Sequence, residues 1–583
     1  MKGDKIKMSL KTSFLKLFKW NTSDDEDLNK NFDINAAMND NLDRIDNAIS
    51  DLAGNKVDKV AGKQLSTEDY TTSEKTKLNG IASGAQVNVL ENLTLEGKTL
   101  AKNNKTIEIK DSEVTNARKS TIKAKIFNSV NERIESIEED LSNIDKTSGH
   151  IYGIRRKITN NSNSAWERLF DSIGKVANAT KNGGTVQNDF DGLAPWSEIN
   201  SCNYDTETGK VKAWYGDATF KFDGSNGDVF TYIPDTFIKV YQDNDYDYIL
   251  ISDVQRSGFK HYDSFFIGRY SASKVNGKLR TYSDLSPEPI SLNDARTLAK
   301  ALGSKVHVMD YRYFIITLLY LVEYADYNSQ KILGQGVVNG QDVISLIAET
   351  STNRIVVSSD LKGLYVGRQV AIGSAWWNNS IADRRRITKI EDYTDNDITG
   401  KSITFDGDAV NIAVGSHMWG IAQHGGNCDK LGMKSGCVIN DGVHDMIYRG
   451  IEGLIGNIFN WIDGILLQKD EVYICTDPSL YNSNDYTKYK KLSYVVLHGE
   501  GAAKTMGYDP DEPLIRYPVE VGANNNTYLT DYYWNNSDTN IHAPRVGGSF
   551  SNGAGAGLFC WGLVVSPAYS DFSIGCRLLI ENQ

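Results

Sequence analysis

The 583-residue sequence predicts an α+β fold with an N-terminal coiled-coil and fibrous stalk and a C-terminal head of short strands with two helices. Three observations predict it: two heptad patterns in the first quarter, a polar segment between them, and a tryptophan- and glycine-rich remainder. The predicted parts are 1–55, with a first coiled coil, 56–126, a fibrous stalk, 127–150, a second coiled coil, and 151–583, the head. A chain of this length exceeds a single hydrophobic core.

The two heptad patterns predict a homotrimer. The apolar residues of the first are spaced 4-3-4-3, and those of the second 3-4-3-4-3. The first alone also fits an ordinary amphipathic helix, but leucine and isoleucine at core positions in both favour trimers or tetramers. The predicted trimerisation residues are Leu42, Ile45, Ile49, Val130, Ile134, Ile137, Leu141 and Ile144.

Residues 56–126 are polar and poor in aromatic residues, so they lack the apolar side chains for a core of their own. Either they form a disordered linker, or they form a thin fibre whose strands are buried only against partner chains.

Composition excludes several functional classes. The net charge of −12 and the pI near 5.3 argue against nucleic-acid binding and against docking on anionic membranes. No run approaches the roughly 18 apolar residues of a membrane span. The six cysteines are too scattered for a disulfide framework or a zinc site, and no secretory signal is seen, so we expect synthesis in the cytoplasm.

The head contains recognisable local elements. Short alternating runs at 211–215, 229–233 and 265–270 predict strands. Ser291 is a good N-cap for a helix over 291–302, and residues 310–325 predict a second, buried helix. Glycine-punctuated apolar blocks at 546–550 and 574–578 predict buried strand ends.

The segment DYTTSEKTKLNGIASGAQVN at 69–88 resembles a module that recurs in the tail fibres of tailed bacteriophages. Residues 8–50 are similar to the N-terminal tail-attachment segment of such fibres. The resemblance implies a virion tail protein, made in the host cytoplasm, that joins tail or baseplate proteins through its N-terminus.

A second resemblance covers the head. Residues 448–461, with 546–550 and 575–577, resemble signature blocks of C-type-lectin-like folds related to formylglycine-generating enzymes, and 216–235 and 258–271 are similar to phage tail heads on that fold. The enzymes need a cysteine just after the second block, where this chain has Ser551 and Asn552, and Cys560 lies in an apolar context. The resemblance therefore implies a scaffold without that catalysis.

No catalytic, metal or cofactor site is expected. The calcium loops of lectins with this fold are not matched, because Glu288-Pro289 is followed by Ile290. A pair of glycosidase carboxylates is not excluded among 75 acidic residues, but no repeat typical of phage depolymerases is visible.

Two segments are predicted to bind a receptor. One is the aromatic and amide run Tyr532, Tyr533, Trp534 and Asn535, although Trp534 also fits a core position. The other segment, residues 551–569, resembles the variable loops of proteins that are diversified by retroelements. That resemblance implies contacts from Ser551, Asn552, Ala554, Trp561, Leu563, Val565 and Tyr569.

The sequence therefore predicts a phage tail fibre, or one from a phage-like particle, that binds a bacterial surface glycan or protein through a trimeric head. Several weak heads on one stalk would raise the effective concentration. The alternatives are an enzyme that degrades surface polysaccharide and a purely structural tail component.

Overall fold

The computed structural model describes residues 149–582, apart from 523–528, 530 and 537, and short pieces of the first 145 residues. The chain divides into two compact units, residues 1–145 and 146–583. The described pieces of the first unit are a helix and two strand pairs: Thr72–Asn79, Thr94–Leu95 with Lys98–Thr99, and Lys119–Ser120 with Lys125–Ile126.

The predicted fold class is wrong. The described residues are 39% strand and 11% helix, and they indicate no coiled-coil stalk, so the fold is β-rich rather than α+β. Heptad patterns two or three repeats long are weak predictors, because any amphipathic segment produces a few matches. The predicted trimerisation residues lie outside the described residues: Leu42, Ile45, Ile49, Val130, Ile134, Ile137, Leu141 and Ile144.

Two antiparallel sheets organise the beginning and the end of the second unit. In spatial order, the five-stranded sheet contains Lys260–Tyr262, Thr236–Gln242, Tyr246–Ser252, Ile151–Lys157 and Glu167–Phe170. The six-stranded sheet contains Val306–Val308, Leu578–Glu581, Phe265–Gly268, Asp228–Ile233, Asn200–Asp205 and Lys210–Trp214. The strands predicted near 211–215, 229–233 and 265–270 are therefore confirmed.

A mixed seven-stranded sheet carries the C-terminal segments. Its order is Pro518–Gly522, Gly499–Met506, Tyr532–Asn535, Gly557–Gly562, Arg545–Gly547, Phe459–Trp461 and Ile574–Gly575. Three smaller sheets accompany it. One contains Gly436–Cys437, Met446–Tyr448 and Ile451–Glu452, and another contains Ile465–Gln468, Glu471–Ile474 and Lys490–Val495. The third is the strand pair Ser273–Val275 and Lys278–Arg280.

Residues 342–420 form a sheet insert with its own apolar cluster. Its six strands are, in order, Asp342–Ile344, His417–Gly420, Gln369–Ala375, Asn378–Asp395, Ile398–Phe405 and Arg354–Val357, and Glu349–Thr352 pairs with Val410–Ile412 beside them. Eight residues, 334–341, separate the end of the helix Ser329–Leu333 from the first strand of the insert.

Three α-helices occur in residues 149–582, one more than predicted: Leu292–Lys300, Tyr313–Tyr324 and Ser329–Leu333. The Ser291 side chain accepts a hydrogen bond from the Asp294 N–H, which confirms the predicted N-cap. Every residue of Tyr313–Tyr324 is buried, which explains why that helix is apolar on all sides. No helix in the described residues is both long and apolar enough to cross a membrane.

Candidate functional site

A cavity of about 710 Å³ in the second unit is an open groove beside the short helix Ser329–Leu333. We call it the amide groove because side-chain amides dominate its lining. Its residues are Lys181, Asn328, Gln330, Lys331, Gln335, Val338, Asn339, Gly340, Gln341, Trp376, Asn440, Ser551, Gly553 and Ala554.

The amide groove is rich in neutral hydrogen-bonding groups, and its charged lining residues are Lys181 and Lys331. Gln335 and Gln341 are exposed, and neither side-chain amide has a hydrogen-bond partner among the described residues. The Trp376 ring is 51% exposed. None of the described residues that line the groove is Asp, Glu, His or Cys. Such a surface can donate, accept and stack, but it offers no general acid, base or thiol nucleophile.

The loop at one wall of the amide groove is held by the short helix. The Gln330 side chain donates hydrogen bonds of 2.8 Å to the carbonyl oxygens of both Gly553 and Ala556. The Gly553 N–H donates to the carbonyl oxygen of Val338 at 3.1 Å. Asn328 caps the helix by accepting from the Lys331 N–H at 2.9 Å. The loop 551–556 is thus fixed to residues 328–338 through the backbone as well as side chains.

A second cavity, about 350 Å³ in volume, lies next to the amide groove. We call it the aromatic pocket. It is lined by Ser286, Pro287, Pro289, Ala371, Trp377, Ser380, Asp383, Arg384, Trp419, Ile421, Ala422 and Phe572. Consecutive residues of one turn line the two cavities, Trp376 the amide groove and Trp377 the aromatic pocket.

Among the loop residues predicted to bind a receptor, two line the amide groove. Ser551 and Ala554 are exposed and belong to its wall. Asn552 instead stabilises the loop, since its side-chain oxygen accepts from the Ser549 N–H and hydroxyl, both at 2.8 Å.

The predicted aromatic run alternates between surface and core. Tyr532 and Trp534 are partly exposed, with ring centroids 4.5 Å apart. Tyr533 is 1% exposed and donates to the Leu497 carbonyl oxygen, and Asn535 is buried. A strand side chain alternates between faces, so only every second residue of this run can reach a ligand, and the prediction is wrong for Tyr533 and Asn535.

Trp561 and Leu563 belong to the core, which contradicts their predicted role at an outward surface. Trp561 is 2% exposed and packs against Phe314, Tyr313 and Tyr517, with ring centroids 5.0, 6.0 and 4.8 Å away. The reason is that Gly557–Gly562 is an inner strand of the seven-stranded sheet, and an indole there excludes water from both sheet and helix.

The two remaining predicted residues lie after that strand. Val565 is partly buried against the second apolar cluster, and Tyr569 is 44% exposed. Neither lines the amide groove or the aromatic pocket.

The cysteine thiols and two acids with raised pKa values lie in the interior of the part that the structure describes. All six cysteines are buried, and burial raises the pKa of the Cys560 thiol well above its usual value. The buried acids Asp445 and Glu452 also have raised pKa values, chiefly because burial disfavours their charged forms. Asp235, His261 and Asp263 are close enough together to bind a metal, but all three are exposed, and exposed acids often cluster without a metal.

No protein-family model matches this chain, and a search of the curated proteins finds no match. The groove residues outside the loop were missed in the sequence, although five amide side chains within residues 328–341 are a local signal for them. Trp376 and Lys181 were missed because only the fold brings them beside that run.

Proposed function

We propose that this chain is a receptor-binding component of a bacteriophage tail, or of a phage-like particle, and that it binds a bacterial surface glycan in the amide groove. The observation that carries the proposal is the lining of that groove: neutral amides around an exposed indole. The likeness of residues 69–88 to a tail-fibre module supports the particle context.

A glycan suits this lining because its hydroxyl groups both donate and accept, as amides do. Trp376 supplies a rigid ring face for the apolar side of a sugar, and Lys181 allows an acidic sugar or a phosphate at the rim, whereas Lys331 is paired with Asp326 at 2.8 Å. An open groove admits part of a long polymer, whereas an enclosed cavity would admit only a small ligand.

The groove favours binding over hydrolysis. Glycosidases need two carboxyl groups on either side of the scissile bond, and the described lining contains none. Homotrimer formation and the contacts with tail or baseplate proteins remain predictions. If several copies act together, each groove can be weak while the particle stays attached.

Cell binding of the full-length chain tests the proposal. We expect labelled protein to bind cells of a susceptible strain, and periodate oxidation of the surface glycan to abolish that binding. Trp376→Ala should weaken binding about tenfold, the effect expected from removing an aromatic anchor.

Tyr569→Ala is the matched control, since Tyr569 has a similar exposure but lines neither cavity. It should bind like the wild type. Loss of binding in Tyr569→Ala with normal binding in Trp376→Ala would move the site to the loop surface and reject the amide groove.

A further inference from the structure

The other rings that line the aromatic pocket lie at shallow angles to Trp377. The Trp377 ring lies 5.3 Å from Phe550 with an interplanar angle of 3° and 6.3 Å from Trp419 at 25°. Phe572 is 5.2 Å from Trp377 at 32°, and it is 41% exposed. Rings stacked in layers present a flat face to a ligand. A cage for a compact cation would need walls at steep angles to one another.

The backbone at the pocket mouth is irregular. The register between Gln369–Ala375 and Asn378–Asp395 shifts so that Asp383 and Arg384 both lie opposite Ala371. Arg384 has a φ of 50°, in the left-handed region. A bulge of this kind redirects side chains and is frequent beside binding sites.

The bulge places two charged side chains at the mouth of the pocket: Arg384, which forms an ion pair, and Asp383, which forms none among the described residues. Arg384 pairs with Glu288 at 3.3 Å and donates to the Pro287 carbonyl oxygen at 3.4 Å. Asp383 is exposed, and its carboxylate has neither an ion pair nor a hydrogen bond among the described residues. A carboxylate at the edge of an aromatic surface is a good acceptor for ligand hydroxyl groups.

We infer that the aromatic pocket is a second glycan subsite that takes a single pyranose with an apolar face, such as a 6-deoxy or N-acetylated sugar. The inference rests on the proposed function and names the sugar class for it. The volume of about 350 Å³ is near the lower end of small-ligand sites, so it holds one ring rather than a polymer.

The two subsites adjoin through consecutive tryptophans. The ring centroids of Trp376 and Trp377 are 5.6 Å apart at an angle of 61°, and the turn directs one ring to each cavity. One glycan chain can therefore lie along the amide groove and insert a neighbouring sugar into the pocket.

Saturation-transfer NMR and intrinsic fluorescence of the full chain test this subsite, with N-acetylglucosamine and the methyl glycosides of rhamnose and fucose as probes. We expect at least one probe to bind at up to about 10 mM, since single sugars bind weakly. Phe572→Ala and Asp383→Asn should each weaken that binding about tenfold. Tyr215→Ala, at an exposed aromatic residue that lines neither cavity, should not change it.

The outcomes separate the subsite from the proposed function. Gln341→Ala, at an exposed residue that lines only the amide groove, should leave the affinity for the single sugar unchanged while it weakens cell binding. No binding of any probe, binding unaffected by Phe572→Ala, or displacement of the sugar by choline would overturn the subsite. A chain that binds the probes in the pocket but does not bind cells would instead overturn the proposed function.

Discussion

Arg449 and Glu323 form a doubly hydrogen-bonded ion pair inside the core. Nε and Nη2 of the guanidinium donate to the two carboxylate oxygens, each at 2.8 Å, and both side chains are almost fully buried. Tyr448 and Asn188 donate to the same carboxylate at 2.9 and 2.6 Å. This pairing explains an acidic residue near the end of an otherwise apolar helix, because its charge is fully compensated.

We expect Glu323→Gln to lower the free energy of unfolding by about 3–5 kcal/mol, because the buried Arg449 then keeps only the half-exposed Asp191, 3.1 Å away, as an anionic partner. Urea denaturation measures the loss. The matched control is Glu207→Gln, which breaks an exposed pair with Lys278 and should change stability by less than about 1 kcal/mol. Equal losses in the two variants would show that the core pair is not desolvated.

The free energy of unfolding should fall as the pH rises from about 5 to 8, because the buried carboxyl groups of Asp445 and Glu452 ionise. Burial raises the pKa of Glu452 from 4.5 to about 7, and burial and the Glu452 charge raise that of Asp445. A raised pKa means that the folded state holds the proton more tightly than the unfolded state. The resulting stability is complete below the unfolded pKa, and it is lost as the pH rises through the folded pKa.

Asp445→Asn keeps the shape of the side chain and cannot ionise. We expect it to reduce the decrease in unfolding free energy between pH 5 and 8, measured by urea titrations at each pH. An unchanged slope in this variant would contradict the raised pKa of Asp445.

Core and surface roles in the C-terminal segment can be separated by stability. Trp561→Ala should cost about 3–5 kcal/mol, because it removes an indole packed on three aromatic rings. Tyr569→Ala should change stability by about 0.5 kcal/mol or less, as expected for an exposed residue. If Trp561→Ala changed stability as little as Tyr569→Ala, Trp561 would belong to the surface, as the sequence predicted.

Substitutions of Gln330 and Gln341 should differ in their effect on stability, although both residues line the amide groove. Gln330→Ala removes two hydrogen bonds to the loop, so we expect a loss of about 1–3 kcal/mol and weaker cell binding. Gln341→Ala should weaken cell binding without changing the denaturation midpoint. If Gln341→Ala also lowered the midpoint, the exposed amide would have a structural role and the groove would lose support.

The sequence predicts a structural element correctly where one short segment determines that element. The N-cap at Ser291 and the buried helix at 313–324 depend on neighbouring residues, and both were predictable. Burial of Trp561 was not predictable, since it follows from pairing with Arg545–Gly547 and Tyr532–Asn535 and from packing under a helix some 240 residues earlier. The β-rich fold class was missed for the same reason, because strands pair across long separations that periodicity does not record.

The site was predictable only in part. The small, polar residues Ser551 and Ala554 indicated an exposed loop, and that loop does form one wall of the amide groove. Most of the remaining lining comes from residues 328–341 and from the turn of the sheet insert, and no local pattern shows that these contact the loop.

The strand Leu578–Glu581 lies between Phe265–Gly268 and Val306–Val308, so it fills an inner position of a sheet whose other strands are made some 270 residues or more earlier. During translation those strands must wait with open edges until residue 581 has left the ribosome. A chain that ended before Leu578–Glu581 would therefore leave the edges of two strands unpaired, and unpaired edges promote aggregation.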